Sequence, residues 1–135
     1  MNLETKMFNQ KIEMIEVKKL RHIEGFSLKK VKWLKDKILI DNVWKKPLAI
    51  DKEHFLVLDG QHRMEVALSI GLRHVPAIKF DYAMIKVVSL RKNHRFNWEM
   101  VVKKALLGDI YPYKTVKHYF DAEFPLCQYS LKELM

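Results

Sequence analysis

The chain has 135 residues and a formal net charge of +9, and 49% of its residues are hydrophobic, whereas it contains only 4 glycines and 4 prolines. This composition excludes disordered, low-complexity and collagen-like chains, and the length favours one compact domain over residues 1–135. The positive charge favours anionic partners, namely nucleotides, phosphorylated metabolites, nucleic acid or acidic lipids, without choosing among them.

The cysteine content and the apolar runs indicate the compartment. The single cysteine, Cys127, cannot form an internal disulfide, and no Cys or His spacing of a zinc site is present. The first residues lack the apolar centre of a signal peptide, and no apolar run approaches the roughly 20 residues of a spanning helix. We therefore expect a cytoplasmic protein without a membrane segment. Residues 1–11 show no clear period, and we expect them to be loosely ordered.

The first elements are a strand and a lysine-rich helix. Alternating apolar residues predict a strand over residues 12–20, followed by a polar loop that contains Glu24. Ser27 can cap a helix that begins at Leu28. Its apolar residues recur at helical spacing, and we interpret the lysines on its other side as a solvated face. The apolar positions are Val31, Leu34 and Ile38, and the lysines are Lys29, Lys30, Lys32, Lys35 and Lys37.

A strand that turns sharply into a helix is the central feature of the sequence. Residues 47–50 and 54–58 predict a hairpin, and the second strand leads into a helix that ends near Gly71. The helix begins within the polar stretch Asp59, Gly60, Gln61, His62 and Arg63. Free N–H groups and the dipole at a helix N-terminus favour anions, so the turn predicts a phosphate site. The simpler alternative is that Asp59 caps the helix and that His62 and Arg63 are ordinary surface residues.

The second half of the chain predicts two strands and a third helix. Residues 73–80 predict a strand, in which Pro76 favours an edge position or a strand start, and residues 85–90 predict another. Asn97 can cap a strongly amphipathic helix that Gly108 ends. Residues 109–120 are predicted to form a loop, and residues 121–135 show no clear period.

The predicted loop over residues 109–120 carries a second group of hydrogen-bond donors. They are Lys114, Thr115, Lys117 and His118. These side chains are close enough in sequence to line one wall of a site. Spacing alone favours the simpler interpretation, a solvated basic loop.

Two motifs resemble the ParB/sulfiredoxin superfamily. They are LDGQHRMEVAL at residues 58–68 and GLRHVPAI at residues 71–78. With the loop at residues 22–24, the segment at 80–82 and the late segment at 108–118, they resemble the free serine kinases of that superfamily. The resemblance runs from about residue 12 to about residue 120. It implies a mixed α/β (α+β) fold, a single ParB/sulfiredoxin-like domain in which a small mixed sheet packs with about three helices.

The resemblance also implies an activity: a kinase that transfers a phosphoryl group from ATP or ADP, with Mg²⁺, to the hydroxyl of free L-serine. By position, Glu24 matches the base that takes the hydroxyl proton. Asp59 matches the acidic residue at the magnesium and phosphate end, and His62 belongs to the catalytic group. The nucleotide-binding positions are Gly60, Gln61, His62, Arg63, Lys114, Thr115, Lys117 and His118.

Three departures from the kinase pattern leave the acceptor open between serine and another small hydroxy compound. Gln61 stands where the kinases often have His, Val116 replaces a Thr, and Lys117 replaces an Arg. A ParB-like protein that binds a nucleotide and DNA without kinase activity is the main alternative. The turn lacks the Glu-Arg-Arg run of that branch, and residues 82–135 contain only one convincing helix rather than a helix-turn-helix, so nucleic acid is the less favoured partner. A sulfiredoxin is disfavoured because its cysteine position is occupied by Gln61.

Overall fold

A computed structural model describes residues 11–92, 95–121 and 123–135, which form a mixed α+β domain. The strands in these ranges are β1 (Glu13–Glu16), β2 (Val43–Trp44), β3 (Leu48–Asp51), β4 (Val57–Asp59), β5 (His74–Phe80), β6 (Lys86–Ser89), β7 (Val116–Tyr119) and β8 (Tyr129–Ser130). The α-helices are α1 (Leu28–Asp41), α2 (Gln61–Ser69), α3 (Trp98–Leu106) and α4 (Leu131–Leu134), with 3₁₀ turns at Val17–Lys19 and Tyr82–Met84.

The main sheet has the strand order β1-β5-β3-β4. β3 runs parallel to β5, and the other two pairings are antiparallel. The predicted hairpin is confirmed as β3 and β4, with a register shift between Ala49 and Ile50. Two small antiparallel sheets, β2 with β8 and β6 with β7, complete the fold.

Both faces of the main sheet are covered. Neighbouring residues of a strand point to opposite faces, so a single strand contributes to the core on each side. Val57 packs in a core with residues of α1 and α2, while Leu56 and Leu58 pack in a second core with Val101 of α3. Burial on both sides explains the continuous apolar run before the turn. It also fixes the position of the turn, since β4 enters it directly from the core.

The predicted helix caps are confirmed. Ser27 Oγ accepts the Lys30 N–H at 3.2 Å at the start of α1, and Asn97 Oδ1 accepts the Met100 N–H at 2.9 Å at the start of α3. Gly108, which follows α3, has a φ of +77°, a conformation that glycine adopts without strain. None of the helices in the described ranges is both long and apolar enough to cross a membrane.

Two strand predictions are corrected. The first strand ends at Glu16, because the chain turns into a 3₁₀ turn at Val17–Lys19. β5 lies between β1 and β3, so an edge position for Pro76 is wrong. Proline is tolerated there because pairing with β3 begins only at Ala77, which leaves Pro76 a registered partner on the β1 side alone.

The late segments contain more structure than the sequence predicts. Residues 109–120 are not wholly a loop, because β7 occupies Val116–Tyr119 and pairs with β6. Residues 121–135 contain β8 and α4, where Ser130 and Glu133 form a capping box. The expected loose ordering of residues 1–11 concerns residues that, except for Lys11, lie outside the described ranges.

Candidate functional site

The strand-to-helix turn depends on Gly60. This residue has a φ of +116°, and a Cβ placed on it would lie 2.3 Å from Cδ2 of Leu48, which is fully buried in β3. Gly60 is also the N-cap of α2, and no side chain caps this helix. The simple interpretation of Asp59 as a helix cap is therefore wrong. The first turn of α2 stays open to an anion.

Replacing Gly60 with alanine is expected to lower the free energy of unfolding by about 3 kcal/mol, because a positive φ and a core clash add together. Gly108→Ala is the matched control. Gly108 also has a positive φ, but nothing lies within 4 Å of an added Cβ, so only about 1 kcal/mol should be lost. Urea unfolding measures both values. Equal losses in the two variants would show that the contact with Leu48 costs nothing.

Nearly all of the predicted site residues line one cavity of about 460 Å³. Those that line it are Glu24, Asp59, Gly60, Gln61, His62, Arg63, Lys114, Lys117 and His118. Thr115 does not line it. Its side chain is fully buried, and its hydroxyl donates to the Pro112 carbonyl at 2.6 Å. The fold thus brings together three segments that are up to 94 positions apart in sequence, from Glu24 to His118.

The Glu24 carboxylate is held by backbone groups of the late segment. Its Oε2 accepts the Thr115 N–H at 2.9 Å and the Val116 N–H at 3.0 Å. The Glu24 loop also pairs with Tyr111 through backbone hydrogen bonds on either side of Glu24. Val116 contributes to this contact only through its main chain, so the change from threonine at this position leaves the contact intact.

His62 is a neutral side chain in a confined position. Burial is the main cause that lowers its pKa, and the positive charges of Lys30, His22 and Arg63 lower it further. Its Nε2 accepts the Ser27 N–H at 3.1 Å, which leaves the ring proton on Nδ1. The ring packs edge-on against Phe26 and Tyr113. His62 therefore lines the cavity without adding positive charge.

The Gln61 side chain is used inside the protein. Its amide nitrogen donates to the Val57 carbonyl, and its amide oxygen contacts Nδ1 of His22. Nε2 of His22 in turn lies 2.8 Å from the Glu65 carboxylate. These contacts hold the first residue of α2 against β4 and the Glu24 loop. The glutamine at this position therefore has a structural role, because its amide group makes both contacts.

Arg63 offers an available guanidinium. It is half-buried, and within the described ranges it has no hydrogen-bond or ion-pair partner. Burial lowers the pKa of Arg63, while the negative charge of Asp59 opposes this effect, and the group stays charged at neutral pH. A desolvated cation without a partner is costly for stability, which is typical of a group that binds an anionic ligand.

His118 points inward from β7. Its Nε2 lies 2.7 Å from the Tyr82 hydroxyl. Burial lowers the pKa of His118 to about 4, although a hydrogen bond with the backbone of Leu58 partly opposes the shift. Burial also raises the pKa of Tyr82, so the pair is uncharged at neutral pH and Tyr82 donates to the ring.

The lowered pKa of His118 predicts a loss of stability in acid. Between its ordinary value of 6.5 and about 4, the unfolded chain binds a proton that the folded protein does not, so stability falls as the pH decreases through this window. From pH 7 to pH 4, we expect the wild type to lose up to about 3 kcal/mol more than His118→Gln. Urea unfolding at a series of pH values measures the difference. Parallel pH profiles would contradict it.

No resident metal site is indicated in the part of the chain that the structure describes. No group of three or more His, Cys, Asp or Glu side chains converges there. The carboxylates that line the cavity are Glu24, which is bonded to the backbone, and Asp59, which is exposed. These two carboxylates could supply only a small part of a cation's ligands. They fit a Mg²⁺ ion that takes its other ligands from water and from the phosphates of a bound nucleotide.

One face of α1 also lines the cavity, which the sequence did not predict. Lys30, Trp33 and Leu34 contribute to the wall, and Lys30 is close enough to lower the pKa of His62. Lys30 is solvent-exposed, as the interpretation of a solvated face requires, and it lines the cavity as well. The i, i+3, i+4 spacing of the three residues was the available signal, but only the tertiary fold shows what that face meets. The other unpredicted lining residues are Leu58, Leu90, Tyr113, Val116 and Phe120.

Cys127 is not an activated thiol. Burial raises its pKa, although Arg63 partly opposes the shift, and its Sγ contacts the Trp44 carbonyl at 3.7 Å. It does not line the cavity described above, nor a second, adjoining cavity that residues 123–126 help to form. A raised pKa disfavours the thiolate that sulfiredoxin-type chemistry requires.

The chain resembles known proteins more strongly in its fold than in its sequence. No protein-family model matches the sequence. A "ParB-like protein" of Sulfolobus acidocaldarius is 37% identical over 76 residues, which span 56% of this chain and 38% of that protein. The chain therefore matches well under half of the length of this relative.

Solved structures match over almost the whole chain. A "free serine kinase in complex with AMP" has a TM-score of 0.83 at 14% identity, covering 92% of this chain and 93% of that one. A mutant of a free serine kinase in complex with ADP has a TM-score of 0.81 at 14% identity, with 92% and 94% covered. A conserved hypothetical protein from Pyrococcus furiosus has a TM-score of 0.80 at 12% identity, with 93% and 97% covered. At these identities the likeness establishes a shared fold.

Proposed function

Because the chain has a ParB/sulfiredoxin-like fold, we propose that it is a small-molecule kinase that phosphorylates the hydroxyl of free L-serine. The observation that carries this proposal is the placement of Glu24 and Arg63 on one cavity, where an anchored carboxylate and an unpartnered guanidinium line the same space. The fold neighbours solved with AMP and ADP support a nucleotide as the donor.

In the proposed reaction, the serine hydroxyl oxygen attacks the terminal phosphorus of ATP or ADP. The bond from that phosphorus to the bridging oxygen breaks, and ADP or AMP leaves with O-phosphoserine as the product. Glu24 takes the hydroxyl proton. Its carboxylate suits this role because two backbone N–H groups fix Oε2 and orient the group.

Positive charge and the open helix end stabilise the transferred group. Arg63 binds phosphate oxygens with its planar fork, and Lys117 of β7 adds a point charge to the same cavity. The free N–H groups of α2 face the same region. Mg²⁺ bound by Asp59 and the phosphates would neutralise charge on the polyphosphate. Phosphoryl transfer depends mainly on such positioning and electrostatic stabilisation.

Phosphorus NMR tests the activity. Purified protein with L-serine, Mg²⁺ and either ATP or ADP should give a phosphomonoester signal that matches authentic O-phosphoserine. A different phosphomonoester, formed only when another small alcohol is supplied, would move the acceptor away from serine. Nucleotide binding without any transfer would reject the kinase proposal.

A ParB-like role without kinase activity is the second candidate, and the match to the Sulfolobus acidocaldarius protein favours it. The net charge of +9 is compatible with a DNA partner. A gel-shift titration at several salt concentrations discriminates between the two. Strong binding that weakens steeply as salt increases, together with no phosphoserine formation, would favour the ParB-like role.

A further inference from the structure

A second cavity of about 690 Å³ adjoins the site. The two cavities share five lining residues, namely Asp59, Arg63, Lys117, His118 and Phe120. Glu24 lines only the first cavity. Arg63 and Lys117, the cations proposed to bind phosphate, thus line both cavities, whereas the proposed base lines only the first.

Aromatic rings form part of the wall of the second cavity, which also carries charged side chains, Glu123 among them. Phe120 and Phe124 lie 4.9 Å apart between ring centroids, and both pack on Phe80, at 4.9 and 5.7 Å. Phe80 is only 8% exposed, so the cluster is fixed to the core of the sheet. Pro47 and Pro125 extend the apolar surface. A rigid surface of flat side chains next to cations suits a planar ring that is attached to phosphates.

The geometry of phosphoryl transfer determines which side receives the leaving nucleotide. The attacking and leaving oxygens lie roughly in line across the transferred phosphorus. If the acceptor hydroxyl meets Glu24 in the first cavity, the leaving group departs from the phosphorus in the direction away from Glu24. The second cavity shares Arg63 and Lys117 with the first and lacks Glu24, so it is the candidate for that side.

We propose that the second cavity binds the nucleobase and ribose of the donor, with the base against the ring of Phe124. The inference rests on the proposed function in one respect, that Glu24 marks the acceptor side. It assigns a role to residues 123–126, for which the sequence predicted neither structure nor function. It also makes Phe124 an affinity determinant for nucleotides and not for phosphate chains.

Calorimetric titration of the full chain with ADP and with pyrophosphate tests this role, because pyrophosphate has no base. Phe124→Ala should weaken ADP binding about tenfold or more, as the loss of a base–aromatic stack does, and leave pyrophosphate binding unchanged. Phe124→Trp should restore ADP affinity, since it keeps a flat ring. Leu107→Ala, at an exposed position outside both cavities, is the matched control and should bind both ligands as the wild type does.

The outcomes separate this inference from the kinase proposal. Unchanged ADP affinity in Phe124→Ala, or an equal loss for ADP and pyrophosphate, overturns the nucleobase site whether or not phosphoserine forms. A wild-type protein that binds ADP no more tightly than pyrophosphate overturns it as well. A selective loss for ADP supports the site, even if no phosphoserine is formed and the kinase proposal fails.

Discussion

Glu24→Gln is expected to lower the turnover number for L-serine phosphorylation by about 10²- to 10⁴-fold, the usual contribution of a general base. An amide cannot accept the hydroxyl proton. It does keep an oxygen that accepts the N–H groups of Thr115 and Val116, so the late segment should stay in place. ADP affinity should change by less than about twofold, because the substitution leaves the groups proposed to bind the nucleotide in place. Turnover is measured by phosphorus NMR and affinity by calorimetry.

The matched control for this substitution is Glu99→Gln, which removes the same charge from an exposed position on α3 outside both cavities. It should retain wild-type turnover. Glu24→Ala adds a test of the structural contacts, because it leaves two backbone N–H groups without their acceptor and should also lower stability. Undiminished turnover in Glu24→Gln would remove Glu24 from the mechanism.

Local sequence rules predicted the parts of the site that local geometry determines. The strand-to-helix turn follows from an apolar run, one glycine and a helical repeat, and the observed φ of Gly60 gives that glycine its reason. The caps of α1 and α3 follow from the preferences of Ser27 and Asn97. In each case the determining residues lie within a few positions of one another.

Long-range pairing determines the parts that the sequence did not predict. β7 is a strand because β6 supplies its partner, and four residues rich in polar side chains gave too weak a period to show it. The Glu24 carboxylate is anchored by main-chain groups, which have the same chemistry at every residue, so no side-chain motif reveals the contact. The ring surface at Phe124 depends on packing against Phe80, which is 44 positions away in sequence.

The unpredicted features share a physical origin with the corrected ones. The part that Lys30 has in the cavity wall was not predicted, because a helix period shows which residues share a face and not what that face meets. Pro76 favoured a sheet edge or a strand start because the rule considers a whole strand, whereas the pairing of β5 with β3 starts only at Ala77, one residue later. Both cases therefore concern the neighbours of an element rather than the element itself.

Arg63→Ala is expected to weaken ADP binding by about 10- to 100-fold, which corresponds to the loss of charge-assisted hydrogen bonds to phosphate. Arg63→Lys should recover only part of the affinity, because an ammonium group keeps the charge without the planar fork. The sharper test is stability. Within the described ranges Arg63 has no hydrogen-bond or ion-pair partner, and its burial disfavours the charged form more than the charge of Asp59 favours it. Its removal should therefore leave the free energy of unfolding unchanged or slightly higher.

Calorimetry and urea unfolding on the same preparations measure both properties of Arg63, with Arg73→Ala as the control for removing an exposed arginine outside both cavities. A structural arginine would show the opposite pattern, in which stability falls and ADP binding follows it. Unaltered ADP affinity in Arg63→Ala would contradict the phosphate role outright. A loss of affinity at constant stability would mean that the folded chain holds a desolvated cation for its ligand alone, which is the property expected of a preorganised phosphate site.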